Sequence, residues 1–182
     1  SLPELRTDIF LAKPGNGKFI RRQMQQLLVP MIDKLEPYMG EGTRHRILSQ
    51  LSYFEKLYEY SKQAQHSTLT HGDAHQANIM FGEKGEEPII LDWQLARFGI
   101  GMEDIARFLL LSTESEFRRE HTDEVVRVYA DELSAIGSEL TFTECQADYL
   151  PMLALQACMS LLAIGAADFT QSEEQRQTGV KL

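Results

Sequence analysis

Basic residues are in short supply in this chain: 18 Lys and Arg stand against 27 Asp and Glu, for a net charge of −9. They are also scattered, whereas a phosphate-backbone binder gathers them into a stripe, so nucleic acid is not an expected partner. The acidic balance suits a cationic substrate as well as ordinary solubility. No apolar run approaches the ~20 residues of a membrane span, and no charged-then-apolar leader opens the sequence. A cytoplasmic protein with no membrane partner is expected. Cysteine is scarce too. Cys145 and Cys158 fall on one predicted helix, roughly 20 Å apart by helical rise and too far for a disulfide. They read as small buried hydrophobes in a reducing compartment.

A phosphate-cradling glycine loop is also missing. Pro14-Gly15-Asn16-Gly17-Lys18 lacks both the glycine spacing and the Ser/Thr after Lys that such a loop requires, and no apolar strand precedes it. It reads as a turn within an extended lead-in over residues 1–17. The first residue is Ser1 rather than Met, which suits a processed, tagged or truncated chain. There is no internal repeat and no low-complexity segment.

What is there is an ordinary globular composition, 43% apolar and 25% charged, enough for one domain with a sizeable core. From Lys18 to Met39, Phe19, Ile20, Met24, Leu27, Leu28, Met31, Ile32 and Leu35 recur at helical spacing. Pro30 should kink that run or restart it, and Gly40 and Gly42 should end it. A second helix is expected over Thr43–Ala64, with Ile47, Leu48, Leu51, Phe54, Leu57 and Tyr58 facing inward. Glu103 and Asp104 suit the first turn of a helix over Gly101–Ser112. Two capping boxes, Thr113-Glu114-Ser115-Glu116 and Thr141-Phe142-Thr143-Glu144, predict helices running to Ile136 and to about Phe169. The last is apolar around most of its circumference and should be buried, with Pro151 bending it or delaying its start. Gln171–Leu182 is a polar end expected to fray.

Between these helices lies the stretch that organises the chain, Leu69 to Leu111. Two short apolar runs, Asn78–Phe81 and Pro88–Leu91, flank a polar turn and predict a β-hairpin. Antiparallel pairing should bring Asn78, at the start of the first strand, near Asp92, at the end of the second. Two oxygen ligands from separate strands, with Asp73 just upstream, suit a hard cation such as Mg²⁺ that keeps waters and binds phosphates.

His71-Gly72-Asp73, Asn78, Asp92 and Asp104 together resemble the ordered motif of the small-molecule kinases that include aminoglycoside phosphotransferases and choline kinases. Asp92-Trp93-Gln94-Leu95-Ala96-Arg97 and Asp104-Ile105-Ala106-Arg107-Phe108-Leu109 look most like the ecdysteroid kinase-like branch. The resemblance is strong over about forty residues and holds in outline for the helices. It implies an α+β, mostly α-helical fold: the C-terminal lobe of a protein-kinase-like architecture, with the hairpin carrying the catalytic and metal residues. Residues 1–182 then form one lobe, with a helical substrate-side segment (17–64), a catalytic loop and metal-binding hairpin (69–98) and a helical core (101–169). The β-rich N-terminal lobe that covers ATP is not found in the sequence.

The implied activity is transfer of the γ-phosphate of ATP to a hydroxyl of a small molecule, such as an aminoglycoside, a choline-like or a steroid-like alcohol. The short connection from Asp92 to Asp104 leaves no room for the activation segment of a protein-directed kinase. Asp73 is the candidate catalytic base and His71 its catalytic-loop partner, bracing the loop. Asn78 and Asp92 would ligate Mg²⁺, with ATP as co-substrate. Asp104 would hold the loop's backbone and Trp93 would lie beneath the metal ligand. His75 and Arg97 are candidate contacts to substrate or phosphate, with an ion pair to Glu103 or another surface acid the default for Arg97. Gly99 and Gly101 are expected to permit tight turns. Asp131, Glu132, Glu139 and Glu144 could draw in a cationic amine.

Two rival readings stand beside this one. His71-Gly72-Asp73-Ala74-His75 alternates as in some transition-metal hydrolases, but His45, His66 and His121 form no comparable cluster to complete such a site. A kinase-like remnant or binding domain without catalysis is the other. The intact trio Asp73, Asn78 and Asp92 argues against degeneration of the parent protein. A chain lacking the ATP-covering lobe is nevertheless expected to turn over little by itself.

Overall fold

The computed structural model describes residues 21–22, 25–26, 28–30, 32–33, 36–61, 67–83 and 86–170. The lead-in, its Pro14–Lys18 turn and the polar end lie outside them. Among the described residues the elements run α1 (Thr43–Tyr60), β1 (Ser67–Thr70), β2 (Ile79–Met80), β3 (Ile89–Ile90), β4 (Arg97–Ile100), α2 (Met102–Ser112), α3 (Ser115–Ala135) and α4 (Phe142–Thr170). The described residues between 21 and 33, Pro30 included, are helical as well. The fold is mostly helical, with small two-stranded sheets.

The axis of the assembly is α4, against which α1, α2 and α3 all pack. Its capping box forms as the residue pattern predicts: Glu144 accepts the Thr141 backbone N–H at 2.8 Å, and Thr141 Oγ1 accepts that of Glu144 at 3.3 Å. Tyr149, Met152, Leu155 and Cys158 of α4 are buried with Leu51 and Phe54 of α1, Met102, Ala106 and Leu109 of α2, and Val126 and Ala130 of α3. Each such large side chain contributes on the order of 1.5–3 kcal/mol by leaving water. Leu28 and Ile32 join the same core. Pro151 lies inside α4 without ending it. Its apolar circumference predicted burial, but one side of the helix meets solvent, where Leu150 is exposed.

The other capping box does not form. The Thr113 hydroxyl instead donates back to the Leu109 carbonyl at 2.7 Å, closing the end of α2, and Glu114 takes the cap position with no side-chain hydrogen bond. A threonine between two helices can serve either neighbour, and here the preceding one wins.

β2 and β3 pair antiparallel, Ile79 opposite Ile90 and Met80 opposite Ile89. The Leu91 N–H continues the ladder to the Asn78 carbonyl at 2.8 Å. A second antiparallel pair, β1 with β4, joins Ser67–Thr70 to Arg97–Ile100 and closes the ends of the organising stretch together. Ser67-Thr68-Leu69-Thr70 has a single apolar residue and gave no strand signal. Of the two glycines expected to permit turns, Gly101 stands in the turn that opens α2, whereas Gly99 does not. Gly99 lies within β4, and a side chain on it would crowd Glu103 and Thr70; one on Gly101 would strike the Tyr129 hydroxyl. Both are small because neighbours come close. Among the described residues no helix is long and apolar enough to cross a membrane.

Candidate active site

β1 delivers the chain to the site. Thr70, fully buried, donates through its hydroxyl to the Arg97 carbonyl at 2.9 Å, fixing the end of β1 against β4. The chain then turns at Gly72, whose φ of +80° favours glycine. A methyl there would also run into the Leu95 carbonyl and the Arg97 guanidinium.

The loop that follows is held from three sides. Asp104, at the start of α2, accepts the backbone N–H of His71 at 2.6 Å on one carboxylate oxygen and that of Gly72 at 2.9 Å on the other. His71 is buried; its Nε2 lies 2.6 Å from the Leu91 carbonyl and its Nδ1 accepts the Asp73 N–H at 3.2 Å. Nδ1 is thus the acceptor and Nε2 the donor, a neutral tautomer with both nitrogens engaged and neither left for a metal. Asn78 closes the third side, its amide nitrogen donating to the Asp73 carbonyl at 3.0 Å. Its amide oxygen accepts no hydrogen bond among the described residues.

Asp92 leaves β3 with φ 60° and ψ 58°, the only non-glycine residue with positive φ among the described residues. Asp tolerates this conformation better than most residues, and such backbones gather at functional sites. The residue is exposed, and among the described residues its carboxylate meets only the Gln94 amide, at 3.4 Å. Trp93 next to it donates its indole N–H to the Ile90 carbonyl at 3.0 Å and sets its ring edge-on to His71, centroids 4.9 Å apart. Around Asp92 the hairpin exposes Met80, Phe81, Ile89, Ile90, Leu91 and Trp93.

The donor set fits a hard cation. Asn78 and Asp92 offer oxygen ligands only, and the described residues contain no group of three His, Cys, Asp or Glu able to enclose a metal.

Arg97 forms the ion pair with Glu103, and His75 Nε2 stands 3.7 Å from Asp73 Oδ2. Arg107, given no role by the sequence pattern, also belongs to the site. It reaches from α2 to Asp73, giving Nε to Oδ1 at 2.9 Å and Nη2 to the same oxygen, while Nη1 donates to Gln156 Oε1 at 3.2 Å. A signal was present: Arg107 follows Asp104 by three residues on a helix and therefore shares its face.

The family model of the Ecdysteroid kinase-like family matches residues 8–142, well over half of the 182-residue chain. The chain belongs to the ecdysteroid kinase-like family. This places it within the protein-kinase-like superfamily, on the branch that its Asp92–Arg97 and Asp104–Leu109 segments resemble. The ecdysteroid kinase-like match takes in the loop, the hairpin and α2 with Arg107, and ends before Gln156 on α4. No curated protein and no solved structure matches the chain.

Proposed function

We propose that the protein is the C-terminal lobe of an ATP-dependent small-molecule kinase, which transfers the γ-phosphate to an alcohol hydroxyl. The observation that supports this reading is the braced loop that presents Asp73, bound by Asn78 and tied to the strand that ends in Asp92. The Asn78 amide binds the Asp73 carbonyl, and the Asp92 strand is tied to the same loop through the contact between His71 and Leu91. Phosphoryl transfer asks a protein chiefly for positioning and charge compensation, and a braced loop of this kind supplies the first.

Asp73 is the base that aims the acceptor hydroxyl and takes its proton. Asn78 and Asp92 are the residues that would hold Mg²⁺, whose positive charge offsets that of the nucleotide phosphates. Asp104 keeps the loop in shape through the His71 and Gly72 amides. His75 borders the acceptor position. The exposed hairpin side chains beside Asp92 suit a surface that the nucleotide, or the lobe covering it, would overlie. The described residues contain no β-rich lobe, so the 182-residue chain alone should turn over little. The branch points to a bulky, fairly apolar alcohol.

Trp93 is the single tryptophan of the chain and is half-exposed beside Asp92. Its fluorescence should change on titration with Mg·ATP and stop changing in Asp92→Asn. Emission that ignores Mg·ATP, or that responds equally in Asp92→Asn, would count against the assignment.

A further inference from the structure

The carboxylate of Asp73 is not free to rotate. Arg107 contacts its Oδ1 through two nitrogens, and the third guanidinium nitrogen binds Gln156. Gln156, 3% exposed, passes its own amide N–H to Glu103 Oε1 at 2.9 Å. Glu103, 4% exposed, pairs in turn with Arg97. Asp73, Arg107, Gln156, Glu103 and Arg97 therefore form one chain of contacts crossing the loop, α2, α4 and β4. Its charges alternate and cancel, which is what a buried carboxylate such as Glu103 requires. A buried polar network whose members are satisfied holds its groups in one arrangement.

The asymmetry at Asp73 matters most. Oδ1 is filled by Arg107, whereas Oδ2 has no hydrogen-bond partner among the described residues and only His75 Nε2 near it, at 3.7 Å. We infer that Arg107, backed by Gln156, is a positioning residue that turns Asp73 so that Oδ2 alone meets the acceptor hydroxyl. The inference rests on the kinase reading. In the step it serves, the acceptor oxygen forms a bond to the γ-phosphorus, the bond from that phosphorus to the β–γ bridging oxygen breaks, and ADP leaves with the electron pair. The hydroxyl proton passes to Asp73 Oδ2. Arg107 touches neither substrate nor phosphate; it sets the direction of the receiving oxygen.

The test has two parts. In this chain, ¹⁵N spectra of the arginine side chains should show an Arg107 Nε–H protected from exchange, losing protection in Asp73→Ala and shifting in Gln156→Met. An Arg107 signal that exchanges like an exposed arginine and ignores Asp73→Ala overturns the inference. In the full natural polypeptide, Mg·ATP with choline, an aminoglycoside or a steroid alcohol provides the assay. Arg107→Gln should lower kcat about tenfold to a hundredfold, the size of a misaimed catalytic group, with KM for ATP nearly unchanged. Arg107→Lys, which keeps the charge, should recover part of the loss. Full kcat in Arg107→Gln overturns the inference and leaves the kinase reading standing. A wild type that phosphorylates none of the three acceptors removes both.

Discussion

Asp104 takes the His71 backbone N–H at 2.6 Å, across thirty-three positions of sequence. With the Gly72 N–H on its other oxygen, a single carboxylate at the start of α2 fixes the loop that presents Asp73. Replacing Asp104 by Ala strands two amides, one of them in a buried residue, and removes two charge-assisted hydrogen bonds. Chemical denaturation should show a loss on the order of 2–4 kcal/mol. Asp104→Asn, able to accept with only one oxygen, should lose less. A variant as stable as the parent would show that the loop holds its shape without this contact.

Gly72→Ala tests the same turn from the other side. The left-handed backbone costs a residue with a side chain about 1–2 kcal/mol, and the added methyl meets the Leu95 carbonyl and Arg97. A destabilisation of about 1–3 kcal/mol is expected from the urea midpoint at unchanged m-value. No change would mean that the turn adapts at no cost.

Stability should also fall in alkali. Tyr60 donates to Asp148 at 2.5 Å, and this bond, followed by burial, pushes its phenol up to about 12. Tyr129 is likewise pushed up to about 12, by burial first and then by Cys145, Asp104 and Asp148. Both raised values mean that the folded protein keeps protons that the unfolded chain gives up near pH 10. The contribution is whole below pH 10 and is lost between about 10 and 12. Urea midpoints measured across that window should drop, and less steeply in Tyr60→Phe. A flat profile would contradict the Tyr60–Asp148 bond and the half-buried setting of Tyr129.

The cysteines give a simpler check. Cys145 and Cys158 are buried and unpaired, as their helical spacing predicts, and burial pushes the Cys158 thiol up to about 11. Burial raises Cys145 as well, with Asp148 and Glu144 adding to it. At pH 8 neither should react with a thiol reagent in the native protein, and both should react in denaturant. Rapid native labelling would mean that α4 opens readily.

Local chemistry was legible in the residues, and distant pairing was not. The hairpin announced itself through Ile79, Met80, Ile89 and Ile90 around a polar turn, and the Thr141–Glu144 box through its spacing. The pairing of β1 with β4 depends on segments nearly thirty residues apart, one of them too polar to signal a strand. Thr113 matched a capping pattern but belongs to the helix before it. Arg107 and Gln156 read as polar positions on helices, because the partners that make them matter lie in other elements. A polar residue on a buried face declares its role only when the opposite face is known.

The most direct test of the account is transfer of labelled γ-phosphate from ATP by the full natural polypeptide to a panel of small alcohols, beside Asp73→Asn. The account predicts label on an alcohol, dependent on Mg²⁺, and its disappearance in Asp73→Asn while the variant stays folded. Label that never leaves ATP in the wild type, or transfer that survives Asp73→Asn at the full rate, would contradict it.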